Sequence, residues 1–150
     1  MTRVTLVMGS GGVGKTTVAA GLAALSARQG ARTLAITVDP ARRLAAAMGV
    51  AVGNDPGPVP GSPGLEAAML DAAAAWESIA STHTDAATAT RLISNPYFRA
   101  VADRFPSGQA YAAGEEVLRH ALSDRYDHIV VDTPPSDGGL AFLSAPEGIR

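Results

Sequence analysis

The chain has 150 residues, 47% of them hydrophobic, which is enough for one domain with a core and too few for two. A formal charge of −2, with no Lys/Arg cluster beyond Arg42-Arg43, gives no general electrostatic footprint for nucleic acid, and the lack of cysteine excludes a disulfide framework or a thiolate metal site. No apolar run approaches the roughly 18 residues that span a membrane, and Met1-Thr2-Arg3 leads straight into a strand pattern instead of a signal peptide, so a cytoplasmic protein is expected.

Arg3 to Met8 is nearly continuous in apolar residues (Val4, Leu6, Val7, Met8), the pattern of a parallel strand covered on both faces, and is expected at the centre of its sheet. Directly after it come Gly9, Ser10, Gly11, Gly12, Val13, Gly14, Lys15, Thr16 and Thr17, which fit G-x-x-x-x-G-K-S/T, the phosphate-cradling P-loop. A backbone that curls round a phosphate needs close approach and left-handed torsions, which glycine alone allows cheaply. The loop N–H groups then point inward, the helix that follows adds its positive end, and Lys15 brings a full charge to the β- and γ-phosphates. Thr16 offers a hydroxyl to Mg²⁺. Lys15 is the chain's single lysine; every other long basic side chain is arginine. A compact charge with three rotatable donors is therefore used only where phosphate oxygens have to be followed.

From Lys15 a helix is predicted to about Gln29, with Val18, Leu22 and Leu25 on its apolar stripe and Gly30 ending it. Thr33 to Val38 is the next strand and ends in Asp39-Pro40. A strand, a helix and a strand in the first 38 residues make a right-handed βαβ unit, which brings the P-loop and Asp39 to the same sheet edge. Ala41 to Met48 reads as a short helix stopped by Gly49, and Val50 to Gly64, rich in Gly and Pro, as a surface loop.

Leu65, Met69, Ala72, Trp76 and Ile79 recur at steps of four and three, predicting a helix with Trp76 in a packing role. Ser81 to Ile93 is a second helix, and Asn95 caps a third that opens with Pro96. Leu65 to Phe105 is thus expected as a helical insertion between the second and third strands, beside the phosphate edge and open to a partner. Pro106-Ser107-Gly108 reads as a turn, and Gln109 to Ser123 as a helix with Val117, Leu118, Ala121 and Leu122 toward the sheet. His128 to Asp132 is a third buried strand.

Two carboxylates close strands. Asp132, followed by Thr133-Pro134-Pro135-Ser136, has the Walker B pattern and is a candidate Mg²⁺ ligand with Thr16. Asp39 is a candidate for orienting the attacking water, with capping of the Ala41 helix as its structural alternative. His83, His120 and His128 are isolated, without metal-like spacing, and carry no functional expectation. Arg42 and Arg43 are candidates for phosphate or partner contact.

Gly9 to Ala20, Val38-Asp39-Pro40-Ala41, and Tyr126-Asp127 through Ser136 together resemble the arsenite-pump ATPase (ArsA) family of the deviant-Walker group; Leu140 to Pro146 is similar to a bacterial branch of it. The resemblance implies an ATPase that dimerises around nucleotide and converts hydrolysis into movement of a partner. It implies that Gly12, Gly14, Lys15, Thr16 and Thr17 bind phosphate and Mg²⁺, that Asp39 lies at switch I, and that Asp132 to Ser136 form switch II. Ser10 stands where the deviant loop usually carries a second lysine. Family members continue well past switch II, so residues 1–150 are expected to be the N-terminal part of a P-loop ATPase domain.

The expected fold is a three-layer α/β/α P-loop NTPase with a mostly parallel sheet, its first strand central and the Asp132 strand beside it. The expected site has Lys15 and Asp39 as catalytic residues, Gly9 to Thr17 as the nucleotide cradle, and Thr16 and Asp132 as metal ligands, with ATP and Mg²⁺ as cofactors. Expected partners are a second copy through the nucleotide face and a membrane transporter or client protein, without nucleic acid. Two other functions fit parts of the pattern: a MinD- or ParA-like organiser of membrane or DNA surfaces, and a nucleotide-binding switch with little hydrolysis.

Overall fold

A computed structural model of the chain describes residues 1–38, 43–49, 53–70, 72–104 and 106–133. Strand β1 (Arg3–Val7) leads through the glycine loop into α1 (Lys15–Arg28), then β2 (Thr33–Thr37), α2 (Arg43–Met48), the two-residue β3 (Gly57–Pro58) and β4 (Leu65–Met69). Four helices follow, α3 (Ala72–His83), α4 (Ala86–Ser94), α5 (Pro96–Arg104) and α6 (Pro106–Ala121), before β5 (His128–Asp132). The five strands form one sheet in the order β1-β5-β2-β4-β3, parallel except for β3.

Every residue of β2 and β5 is buried, because helices cover both faces. On one face Ala19, Ala23 and Ala27 of α1 and Leu44 of α2 pack with Ala35, Ala67 and Val130. On the other, Ala113 and Val117 of α6 pack with Leu34, Ile36, Ala68, Ile129 and Val131. The alternation of Leu34 and Ile36 against Ala35 follows the two-residue period of a strand. The α/β layering expected from the sequence is therefore present, with helices on both faces of a mostly parallel sheet. Trp76 of α3 packs as expected, edge-on to Phe98 at 5.8 Å and stacked on Tyr111 at 5.9 Å, joining α3 to α5 and α6. Its indole Nε1 is buried with no hydrogen-bond partner among the described residues.

Several local expectations are corrected. Leu65–Met69 is a strand, pairing with β2 in the register Leu34↔Glu66 and Ile36↔Ala68. Its residues favour helix intrinsically, but sheet pairing and burial override so short a preference. The helical layer accordingly begins at Ala72, after β4, and Gly57–Pro58 adds a short antiparallel edge within the expected loop. Among the described strands β1 is at an edge, since β5 inserts between it and β2. An apolar run reports covered faces and says nothing of lateral neighbours.

The predicted stripe of α1 is reversed: Val18, Leu22 and Leu25 are 52%, 38% and 53% exposed, while the alanine face is buried. In α6 Val117 is buried and Ala121 packs against the core as expected, but Leu118 and Leu122 are exposed. Pro106 to Gly108 is the first turn of α6, where proline is tolerated because its missing N–H would have no helical partner.

Candidate functional site

Register brings three strand ends level. Val7 of β1 and Thr37 of β2 both pair with Asp132 of β5, so the exits of the three strands share one edge. The glycine loop leaves β1 at that edge and returns as α1. Gly12 and Gly14 have φ of 80° and 90°, left-handed conformations in which a Cβ would be strained. Gly14 is the N-cap of α1 and no side chain caps the helix there, so its first N–H groups are directed to the mouth of the loop.

Lys15 Nζ donates back to the Ser10 carbonyl of the loop at 2.9 Å. One residue on, the Thr16 hydroxyl donates to Asp132 Oδ2 at 2.8 Å. Asp132 is 1% exposed, and the Thr37 hydroxyl also donates to Oδ2 at 3.4 Å. Thr133 pins the exit of β5 to β1 through its hydroxyl, which donates to the Val7 carbonyl at 2.9 Å. The Val38 N–H donates to the Asp132 carbonyl at 3.1 Å, holding the end of β2 against the same residue.

The structure thus brings Thr16 onto Asp132 and Lys15 onto Ser10, with Gly9 to Gly14 leading from β1 into α1 and Thr17 following in its first turn. Asp39, Arg42, Pro134 to Ser136 and Leu140 to Pro146 lie outside the described residues. Thr37 was not singled out from the sequence; its signal is a hydroxyl two residues before Asp39, at the end of a strand that reads as wholly apolar or β-branched.

The donor set suits Mg²⁺. A hydroxyl oxygen and a carboxylate oxygen are hard ligands, and Mg²⁺ bound beside phosphates takes one or two protein oxygens and keeps several waters. Among the described residues there is no cluster of three or more His, Cys, Asp or Glu. The chemistry of the remainder suits phosphate: α1 begins at Lys15 with no side-chain cap, so a helix N-terminus and an ammonium are next to each other.

A cavity of about 490 Å³ occurs near the opposite ends of the strands, lined by Arg32, Val59, Gly64, Glu66, Arg125 and Tyr126 among others. Its charges are already matched, Arg125 with Glu66 at 3.2 Å and Arg32 with Asp127 at 2.7 Å. Burial, and then the bond from its hydroxyl to Glu66, push the Tyr126 phenol well above its ordinary pKa. It shares no residue with the glycine loop.

No helix among the described residues is long and apolar enough to cross a membrane. An uncharacterized protein of Streptomyces coelicolor is 38% identical over 150 residues, covering 99% of this chain and 38% of that protein. The arsenical pump-driving ATPase of Acidiphilium multivorum is 29% identical over 92% of this chain and 24% of its own length. The ATPase get3 of Schizosaccharomyces pombe is 31% identical over 93% of this chain and 42% of its own. The chain therefore spans about two fifths or less of the length of these relatives. The sequence pattern of the anion-transporting ATPases matches residues 2–150, and the chain belongs to that family.

Proposed function

We propose that the protein binds ATP with Mg²⁺ and hydrolyses it to ADP and phosphate, using the cycle to move a partner. The observation that carries this reading is the contact of Thr16 with Asp132 beside a left-handed glycine loop and its lysine. In the proposed site the loop N–H groups and Lys15 bind the β- and γ-phosphates. Lys15 exchanges the Ser10 carbonyl for phosphate oxygens, a stronger acceptor for an ammonium. Thr16 and Asp132 hold Mg²⁺, which when bound neutralises charge developing on the phosphate oxygens. Asp39 orients the attacking water, a role that rests on the family pattern. Phosphoryl transfer asks the protein for positioning and charge, so these few groups suffice.

We further propose that the protein works with a second copy through the nucleotide face, and with a client protein or a transporter, the latter in keeping with the name of the arsenical pump-driving relative. With no cysteine in the chain, an anion cargo would not be held by thiolates of these residues. The deciding experiment is calorimetric titration of ATP with Mg²⁺ into the protein and into Lys15→Ala. Loss of charge-assisted bonds to phosphate is expected to cost about 2 kcal/mol, roughly thirtyfold in affinity. Equal affinities would overturn the reading.

A further inference from the structure

At the ends of β1, α1 and β5 remote from the glycine loop lies a second polar cluster. His128 opens β5 and is 5% exposed, yet both ring nitrogens are engaged. Nδ1 is 2.9 Å from the Ser26 hydroxyl of α1 and 3.3 Å from a guanidinium nitrogen of Arg3 on β1. Nε2 is 2.9 Å from the Thr5 hydroxyl, also on β1. An arginine nitrogen can only donate, so Nδ1 is an acceptor and the ring proton resides on Nε2, donated to Thr5. Ser26 then donates to the same Nδ1. These contacts favour a neutral imidazole with its proton on Nε2.

The same three elements carry the proposed nucleotide site at their other ends, where Thr16 of α1 bonds Asp132 of β5. Between the two ties, the buried face of α1 is Ala19, Ala23 and Ala27 with Ser26. Small side chains give close contact but little interlocking, so polar ties at the two ends set where α1 sits along β5. We infer that His128 is a proton-sensitive positioning residue: the neutral ring fixes α1 and β1 on β5, and its protonation releases Ser26 and Arg3 and shifts Thr16 relative to Asp132.

Protonation would put hydrogen on Nδ1, directly against the Arg3 guanidinium and the hydrogen of Ser26. Burial first, and then Arg3, hold the ring below the usual histidine range. Arg3 is the charged group facing it from β1; α1 contributes the uncharged Ser26, β2 sets the uncharged Thr33 beside it in register, and neighbouring Asp127 is bound by Arg32. A depressed folded value means that the unfolded chain takes the proton first. The tie is therefore intact above about pH 6.5 and is lost as pH falls from there through the folded value.

The inference rests on the proposed site only for its consequence at Thr16 and Asp132, and its test needs no nucleotide. The ring nitrogens of His128 and the backbone amides of Gly14 to Thr17 and Asp132 are followed by ¹H–¹⁵N NMR of the whole chain from pH 8 to pH 5. We expect an Nε2–H tautomer at pH 7, a midpoint below that of an ordinary histidine, and loop and Asp132 amide shifts sharing that midpoint. The Nδ1–H tautomer, an ordinary midpoint, or loop amides that ignore the titration would each overturn it. His128→Gln should abolish the coupled shift and His120→Gln should retain it; should the first variant not fold, the wild-type spectra still decide. Failure of ATP binding would sink the proposed function and leave these shifts untouched.

Discussion

The Thr16 hydroxyl donates to the Asp132 carboxylate across 2.8 Å, joining residues 116 positions apart at the edge where three parallel strands end. Thr16→Val keeps the shape and removes the oxygen. If that oxygen is a Mg²⁺ ligand, ATP affinity without metal should stay near wild type while the gain on adding Mg²⁺ falls by about tenfold, one charge-assisted contact. Calorimetry with EDTA and with Mg²⁺ measures both numbers. An unchanged metal gain would assign the pair to stability alone.

The role proposed for Asp39 can be tested by separating binding from chemistry. The phosphates are matched in the proposed site by Lys15, loop N–H groups and Mg²⁺, so Asp39→Asn should leave ATP affinity near wild type. Orienting water is a transition-state contribution, and kcat should fall by about 10²- to 10⁴-fold. Phosphate-release kinetics on the complete protein test this. Turnover at the wild-type rate would make Asp39 a cap for the segment that follows.

Packing of α1 gives a prediction opposite to the one its sequence suggests. Ala23 is fully buried against the sheet, so Ala23→Leu forces the helix outward and should cost about 1 to 3 kcal/mol. Leu22, half-exposed beside it, should tolerate Leu22→Ala within about 0.5 kcal/mol. Urea unfolding of the two variants compares them. A larger loss for Leu22→Ala would contradict the observed facing.

Acid stability should carry the mark of Asp127. Arg32, through a side-chain ion pair and its backbone N–H, holds this carboxyl down at about 2. A depressed folded value stabilises above the unfolded pKa of roughly 3.9 and is lost as pH falls through about 2. Both partners are half-exposed, so solvent screens the gain. The urea midpoint of the wild type should therefore drop between pH 4 and pH 2, and Asp127→Asn should flatten part of that drop. Equal slopes would leave the pair without a share in acid stability.

What could be read from the sequence was what residue type determines locally. A curled phosphate loop demands glycines, a lysine and a hydroxyl in fixed order, and strand-ending carboxylates follow apolar runs, so the meeting of Thr16 with Asp132 was legible from residue type and order. Leu65–Met69 was not, because Leu, Glu, Ala and Met all favour helix and only the neighbouring β2 makes them a strand. The facing of α1 was hidden for a related reason: a tight helix-on-sheet approach selects alanine, while the larger side chains go where there is room. His128 looked isolated since its contacts come from residues 102 to 125 positions away.

Trp76 gives the helical layer an optical signature of its own. It is the chain's single tryptophan, held between Phe98 and Tyr111 with an indole nitrogen that no acceptor among the described residues satisfies. An indole shielded from water emits toward the blue, and a water reaching Nε1 would move the emission to longer wavelength. Because α3, α5 and α6 surround it and the glycine loop does not, a colour change on adding ATP would report motion relayed into the helices, without contamination from the phosphate end.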